Sequence, residues 1–167
     1  MIKDNLLDST GLKEIEDTLH KMPWYISDKQ MDMNHHSDCL VNVVYNLSKP
    51  NDLHVFNILT SYFSLPLDVV CWYRIRINLT YKQKEFNLFG WHNDYRSYNV
   101  PDHPQFQHMT TGLFYLNNTN GPTLFKDGEK VDCVKNRLLT FPSSRLHSGT
   151  HHTEGDNKRV VINFNYF

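Results

Sequence analysis

The hydrophobic residues near the start of the chain recur at helical spacing. Within residues 9–24 (STGLKEIEDTLHKMPW), Leu12, Ile15 and Leu19 lie three or four positions apart, and Pro23 follows them. Residues at this spacing share one face of an α-helix, and a proline beyond them ends it. The pattern therefore predicts a first amphipathic helix.

A second helical pattern occupies residues 49–66 (KPNDLHVFNILTSYFSLP). Asn51 or Asp52 can cap its N-terminus, because a short polar side chain accepts a hydrogen bond from a free backbone N–H of the first turn. Pro66 would end it. The predicted apolar face comprises Leu53, Phe56, Ile58 and Leu59.

From residue 69 onwards the pattern changes to short β-branched and aromatic runs separated by turn residues. The turn signals include Asn-Asn-Thr-Asn-Gly at 117–121 and Lys-Asp-Gly at 126–128. Such runs predict a mainly β fold, a sandwich or small barrel of antiparallel strands buttressed by the N-terminal helices. The predicted strands lie within residues 69–81, 86–94, 110–118, 121–128, 129–134, 137–143 and 159–167.

A chain of 167 residues suits one domain, with 1–68 as mainly helical support and 69–167 as the β core. The formal net charge of −1, without a long acidic or basic run, gives no electrostatic reason to expect nucleic-acid or membrane binding. The three cysteines are far apart in sequence, which favours a reducing compartment. No apolar stretch approaches membrane-spanning length, so we expect a cytoplasmic protein.

The stretch FGWHNDYRSYNV at 89–100 places His92 and Asp94 two positions apart. On a strand, residues i and i+2 point to the same face, so both side chains can aim at one point. The spacing alone is weak evidence, since His36 and Asp38 form a second such pair. That second pair lies in a polar stretch without strand alternation, so we favour His92 and Asp94 as metal ligands.

A third ligand is required, and His147 is the main candidate. It follows a predicted strand and a turn at 142–144 in the stretch RLLTFPSSRLHSGTH. Two histidines and one carboxylate on one octahedral face form the ligand set of non-haem iron(II) oxygenases, which leaves positions open for substrate and oxygen. His151 is the rival third ligand if the loop after His147 forms a different turn.

Arg159 opens the last predicted strand, twelve positions after His147. Its planar guanidinium can hold a carboxylate through two parallel hydrogen bonds, as an organic diacid cofactor requires. An arginine at a strand edge is also a common surface residue. Arg159 is a candidate carboxylate-binding residue only because candidate metal ligands precede it in the sequence.

Four segments in series resemble the iron(II)- and 2-oxoglutarate-dependent dioxygenases, specifically the prolyl-4-hydroxylase-like branch. They are WHND at 91–94, GLFYLNNTNGPTLF at 112–125, LLTFPSSRLHSG at 138–149 and RVVINFNYF at 159–167. The resemblance implies a double-stranded β-helix (jelly roll) and hydroxylation of a substrate C–H bond, with release of succinate and CO2. The small size and polar loops are similar to those of phage-encoded members. The interval from His147 to Arg159 is slightly long for the family and implies a loop insertion.

The resemblance also implies a role for each matching residue. His92, Asp94 and His147 would be the catalytic iron ligands. Arg159 and the hydroxyl of Tyr115 would bind the distal carboxylate of 2-oxoglutarate, and Asn78 would hydrogen-bond the same cofactor. Dioxygen would be the co-substrate and ascorbate a candidate reductant. The alternative role of Tyr115 is packing in the core, and Thr123 is a plausible neighbour of the site.

The loop after Asp94 supplies Tyr95, Arg96 and Tyr98 as candidate substrate-binding residues. Their alternative role is to cover the end of the sandwich. The substrate can be a peptidyl proline, an amino acid or another small molecule. Two other functions stay open: a catalytically silent jelly-roll binding module, and a metal hydrolase that uses the same ligands. The hydrolase would need a general base at the site, and none of the five glutamates is an evident one.

Overall fold

The first helix lies where the hydrophobic pattern predicts it. The computed structural model describes residues 1–26, 39–94 and 107–167, and within them α1 spans Ser9–His20. The side chain of Asp8 caps this helix by accepting a hydrogen bond from the backbone N–H of Gly11 at 2.8 Å. Ile15 and Leu19 are buried, as predicted.

The second helix, α2 at Leu53–Phe63, is also confirmed, but its buried face differs from the predicted one. Asp52, and not Asn51, is the cap, and its carboxylate accepts from Val55 N at 3.0 Å. Leu53 was predicted to be buried but is 61% exposed, because it occupies the first position of the helix. The fully buried residues of the helix are Val55, Leu59 and Phe63.

Two antiparallel sheets form the body of the molecule. Their strands are β1 Ile2–Lys3, β2 Tyr25–Ile26, β3 Cys39–Asn46, β4 Lys49–Pro50, β5 Trp72–Tyr81, β6 Thr110–Tyr115, β7 Thr119–Phe125, β8 Lys130–Cys133, β9 Arg137–Pro142, β10 His147–Ser148 and β11 Lys158–Tyr166. The main sheet has the order β1-β9-β6-β11-β5-β3-β2, with β4 on β3, and the small sheet has the order β10-β7-β8. The mainly β fold, a jelly roll buttressed by helices, is as predicted.

The pattern missed one long strand and overextended another. Strand β3 lies within the first 68 residues, which were predicted to be mainly helical, and it pairs with β5. Its burial does not alternate strictly, because a register shift between Val43 and Tyr45 interrupts the two-residue period. Within the predicted strand at 86–94, only Leu88 and His92 form isolated bridges. The division of the chain into one domain with a helical part stays a prediction.

The two faces of the main sheet have different chemistry, which positions the site. Helices α1 and α2 pack on the outer face, where Ile75 and Ile77 of β5 are completely buried. A second apolar cluster fills part of the space toward the small sheet and includes Phe125 and Phe141. The inner face of β5 carries polar side chains at alternate positions, namely Arg74, Arg76, Asn78 and Thr80. In the described part of the chain, no helix is long and apolar enough to cross a membrane.

Candidate active site

His92, Asp94 and His147 converge at one end of the inner face. Their ligand atoms all lie within 4.8 Å of one another, and His147 Nε2 is 4.0 Å from Asp94 Oδ2. The backbones of the two histidines form a reciprocal pair, with N–H to carbonyl distances of 3.0 and 2.8 Å. Within residues 1–26, 39–94 and 107–167, this is the one group of three or more His, Cys, Asp or Glu side chains close enough to share a metal ion.

The backbone fixes the orientation of both imidazole rings. Nδ1 of His92 lies 3.1 Å from the carbonyl of Gly90, and Nδ1 of His147 lies 3.0 Å from that of Arg145. A carbonyl only accepts, so each Nδ1 carries the proton and each Nε2 keeps a free lone pair. Burial, together with the neighbouring His147, lowers the pKa of His92. The neutral imidazole, which is the form that binds metals, is therefore favoured.

Asp94 is buried and held by a cation and three neutral donors. Its Oδ1 accepts from Arg74 Nη2 at 3.2 Å. Its Oδ2 is approached by Thr111 Oγ1 at 2.8 Å, Asn165 Nδ2 at 3.1 Å and Asn163 Nδ2 at 3.3 Å. Burial alone would raise the pKa of Asp94, but the positive charge of Arg74 and the hydrogen bond from Thr111 contribute to a net pKa well below the ordinary value. The carboxylate is therefore ionised at neutral pH.

Arg74 completes this network from strand β5. Its Nε donates to Asn165 Oδ1 at 2.8 Å, which orients the amide so that its nitrogen faces Asp94. Burial lowers the pKa of Arg74 to about 10, against the opposing effect of Asp94, so the guanidinium stays charged at neutral pH. Asp94 thus has one defined position and orientation.

His151, the rival third ligand, lies outside this group. Its ring packs edge-to-face against Phe89, with the two ring centroids 4.8 Å apart. Its side chain is buried and does not belong to the converging set of metal-ligating groups. Among the two histidines considered in the sequence, the structure therefore brings His147 to the pair.

Arg159 and Tyr115 lie together on the same inner face, farther along the sheet. Arg159 is 5% exposed, its Nε donates to the carbonyl of Gly121 at 3.0 Å, and its guanidinium carbon is 5.7 Å from the centre of the Tyr115 ring. Among the described residues, neither Nη atom of Arg159 has a hydrogen-bond partner. The anchored Nε and the two open Nη groups can therefore hold an anion.

The hydroxyl of Tyr115 forms a hydrogen bond with Thr123 Oγ1 at 2.7 Å. Burial raises the pKa of Tyr115 to about 12, so the hydroxyl keeps its proton at neutral pH. Asn78 lies on the same inner face, and its buried Oδ1 has no hydrogen-bond partner in the described structure. The predicted substrate residues Tyr95, Arg96 and Tyr98 lie outside the described residues, as does the pair His36 and Asp38.

Sequence reasoning missed the residues that hold Asp94. They are Arg74, Thr111, Asn163 and Asn165. The signal was present: polar residues alternate with apolar ones along RIRINLT in β5 and INFN in β11. Polar side chains at every second position of a strand whose other face is apolar line a polar interior surface or face solvent. The sequence does not distinguish these two cases, and the structure shows the first.

No protein-family model and no curated protein matches this sequence, but solved structures match its fold. An oxidoreductase of the 2OG-Fe(II) oxygenase family from Burkholderia pseudomallei is 16% identical, with a TM-score of 0.73 over 99% of this chain and 84% of that one. A prolyl hydroxylase from Trichoplax adhaerens, in complex with a hypoxia inducible factor peptide fragment, is 15% identical, with a TM-score of 0.68 over 100% and 82% of the chains. HygX from Streptomyces hygroscopicus, with nickel and 2-oxoglutarate bound, is 10% identical, with a TM-score of 0.64 over 99% and 81%. This chain therefore has the fold of 2-oxoglutarate oxygenases.

Proposed function

We propose that this protein is an iron(II)- and 2-oxoglutarate-dependent oxygenase that hydroxylates a C–H bond of a peptide or small-molecule substrate. The observation that carries the proposal is the convergence of His92, Asp94 and His147 at one end of a polar inner face, with Arg159 on the same face. The fold shared with oxygenase structures supports it.

The three side chains fit iron(II) by their donor atoms. Two imidazole nitrogens with fixed tautomers and one ionised carboxylate suit a divalent metal that needs open positions for other ligands. A closed zinc site would require a fourth protein ligand, and no fourth His, Cys, Asp or Glu joins the group among the described residues. Arg74 holds Asp94 in place, so the facial arrangement does not depend on the metal alone.

The cofactor site fits a diacid. The open Nη groups of Arg159 would bind the distal carboxylate of 2-oxoglutarate, and the Tyr115 hydroxyl would add a neutral hydrogen bond. Asn78 is proposed to hydrogen-bond the same molecule from β5. When bound together, iron(II), 2-oxoglutarate and dioxygen would supply the oxidising chemistry, with release of succinate and CO2. Ascorbate is proposed as the reductant that keeps the iron in its divalent state.

The residues of this chain would bind, orient and shield. His92 and His147 present Nε2 and keep Nδ1 protonated, so they transfer no proton during the reaction. Arg159 orients the cofactor from a position that is almost entirely buried, where bulk water does not compete for its hydrogen bonds. Tyr95, Arg96 and Tyr98 remain the proposed substrate-binding residues, and the cytoplasmic location and phage-encoded origin stay predictions.

The decisive experiment measures succinate formed from 2-oxoglutarate with iron(II), with and without candidate substrates. We expect turnover by the wild type and a loss of at least about 100-fold in His147→Ala and Arg159→Ala, because each removes a metal or cofactor contact. His151→Ala is the matched histidine control and should retain turnover. Absence of both succinate formation and iron binding in the wild type would overturn the proposal and favour a binding module. Iron binding without 2-oxoglutarate binding would favour the hydrolase.

A further inference from the structure

A second arginine, Arg76, lies on the inner face of β5 beside the proposed metal centre. It is two residues from Arg74 and pairs in register with Asn163 of β11, whose side chain contacts Asp94. Cross-strand partners project to the same face, so Arg76 faces the site and not the helices. It is therefore the nearest cation on β5 to the metal centre after Arg74.

Among the residues that the structure describes, Arg76 has no ion-pair or hydrogen-bond partner. Its Nε and Nη2 atoms are buried and make no hydrogen bond in the described structure. Burial lowers the pKa of Arg76, with Cys39 and Asp94 acting in the opposite direction, but an arginine remains charged at neutral pH. Burying these two donors without partners costs free energy, because their lost hydration is not replaced. Such a group is expected where a ligand completes its hydrogen bonds.

Neighbouring acceptors on the same face are also incomplete. The amide of Asn163 donates through Nδ2 to Asp94, and since a carboxylate only accepts, this contact fixes which end of the amide is the oxygen. The remaining Oδ1 of Asn163 is buried and has no hydrogen-bond partner in the described structure. An unpaired cation and an unpaired acceptor thus lie side by side next to the metal centre. A ligand with one anionic group and one adjacent donor would satisfy both.

Arg76 is distinct from the arginine assigned to the cofactor. Arg159 pairs in register with Thr80, which is four residues farther along β5 than Arg76. At about 3.4 Å per residue, this places the two positions roughly 14 Å apart along the strand. In the proposed function, 2-oxoglutarate uses Arg159 for one carboxylate and the metal for the other, and Arg76 is assigned to neither.

The buried thiol of Cys39 lies at the Arg159 end of β5. Cys39 pairs in register with Thr80, and its pKa is raised by burial, while Arg76 and Arg159 both act to lower it. Asn78 lies between Arg76 and Thr80 on the same face of β5. Arg76 and Arg159 are therefore two separate candidate anchors for anions on one polar face.

On these grounds we infer that Arg76 and Asn163 form a substrate subsite for a free α-amino acid, with the carboxylate on Arg76 and the ammonium group on Asn163 Oδ1. The inference rests on the proposed function and narrows its substrate class. A carboxylate matches the planar pair of donors on Arg76, and an ammonium group supplies the donor that Asn163 lacks. Residues embedded in a peptide offer neither charge, so the subsite selects against them.

The test uses protein loaded with Ni²⁺ and 2-oxoglutarate, which cannot turn over. Binding of the proteinogenic amino acids is measured by thermal shift and calorimetry, with each amino acid compared with its uncharged-carboxyl counterpart, the amino acid amide. We expect at least one amino acid to stabilise the wild type and its amide to bind at least about 10-fold more weakly. Arg76→Gln should weaken amino acid binding about 10- to 100-fold, and Arg76→Lys should weaken it less.

Controls separate this inference from the proposed function. Arg137→Gln, in which an arginine paired with Asp4 at the surface is removed, should bind the amino acid like the wild type. Affinity for 2-oxoglutarate should fall in Arg159→Gln but stay within about two-fold of wild type in Arg76→Gln. If Arg76→Gln loses 2-oxoglutarate instead, Arg76 belongs to the cofactor site and the inference is wrong. It is equally wrong if no amino acid stabilises a wild type that binds Ni²⁺ and 2-oxoglutarate. Failure of that wild type to bind either would overturn the proposed function itself.

Discussion

Strand β5 carries two arginines on its inner face, two residues apart, and their surroundings differ. Arg74 donates to Asn165 Oδ1 at 2.8 Å and to Asp94 Oδ1 at 3.2 Å. Arg76 has two buried nitrogens without any hydrogen bond in the described structure. Burial of a charged group costs less free energy when the group is paired, so Arg74 stabilises the folded framework, whereas Arg76 is the proposed ligand-binding arginine. The same residue type on one strand can therefore serve stability at one position and binding at the next.

The largest expected effect comes from breaking the paired arginine. Arg74→Gln should lower the free energy of unfolding of the metal-free protein by about 3–5 kcal/mol, because the Asp94 carboxylate stays buried without its cation. Urea denaturation at neutral pH, followed by tryptophan fluorescence, measures this change. Arg137→Gln is the control, since its ion pair is much more exposed, and it should lower the stability far less. A stability equal to that of the wild type would show that the Arg74–Asp94 pair does not hold the framework.

Low pH should weaken the Arg74–Asp94 pair by protonating Asp94, with a smaller effect than removal of Arg74. The folded-state pKa of Asp94 is depressed, so its contribution to stability is fully present above the unfolded-state value of about 4 and is lost as the pH falls through the lower folded-state value. The stability difference between wild type and Asp94→Asn should therefore shrink from pH 7 to pH 3. The effect is smaller than that of Arg74→Gln, because protonated Asp94 keeps its place and its neutral neighbours. A difference that stays constant over this range would contradict the assignment.

A change at the proposed 2-oxoglutarate site should have a smaller effect than the changes to the Arg74–Asp94 pair. Tyr115→Phe should weaken 2-oxoglutarate binding about 5- to 10-fold, since one neutral hydrogen bond is worth about 1 kcal/mol. Calorimetry with Ni²⁺-loaded protein measures it. Because burial raises the pKa of Tyr115 to about 12, wild-type affinity should show no step from this hydroxyl between pH 6 and pH 10. Tyr81→Phe, at the exposed end of β5, is the matched control. If both variants bind 2-oxoglutarate equally well, Tyr115 serves only packing.

Sequence patterns predicted most of the fold because much of its information is local. Helix α1 and six of the seven predicted strand segments appear as elements with slightly different bounds, since each has its own apolar period and turn signals. Strand β3 was not predicted, because its register shift interrupts the two-residue alternation of side chains between the two faces. The segment around His92 was read as a regular strand, but its pairing with His147 is a single bridge that depends on a distant part of the chain.

For the candidate site too, the sequence identified some residues and missed others. His92, Asp94 and His147 could be named because their chemistry and order form a motif, and the structure brings their ligand atoms together. Arg74, Asn163 and Asn165 could not be named, because their role depends on which strands are neighbours and on which face they project. A polar residue in a strand looks the same in sequence whether it faces solvent, a partner or an empty place for a ligand. Only the register β5–β11 separates these cases.

Arg76→Gln should change the stability of the protein less than any of the other substitutions. Removing a partly buried cation that has no partner among the described residues relieves an uncompensated desolvation cost, so the metal-free variant should be as stable as the wild type or more stable by about 1 kcal/mol. The same urea denaturation that measures Arg74→Gln measures this difference. A loss of more than about 2 kcal/mol would give Arg76 a structural role like that of Arg74. Unchanged stability combined with lost amino acid binding would mean that the chain keeps a costly charge at this position for its ligand.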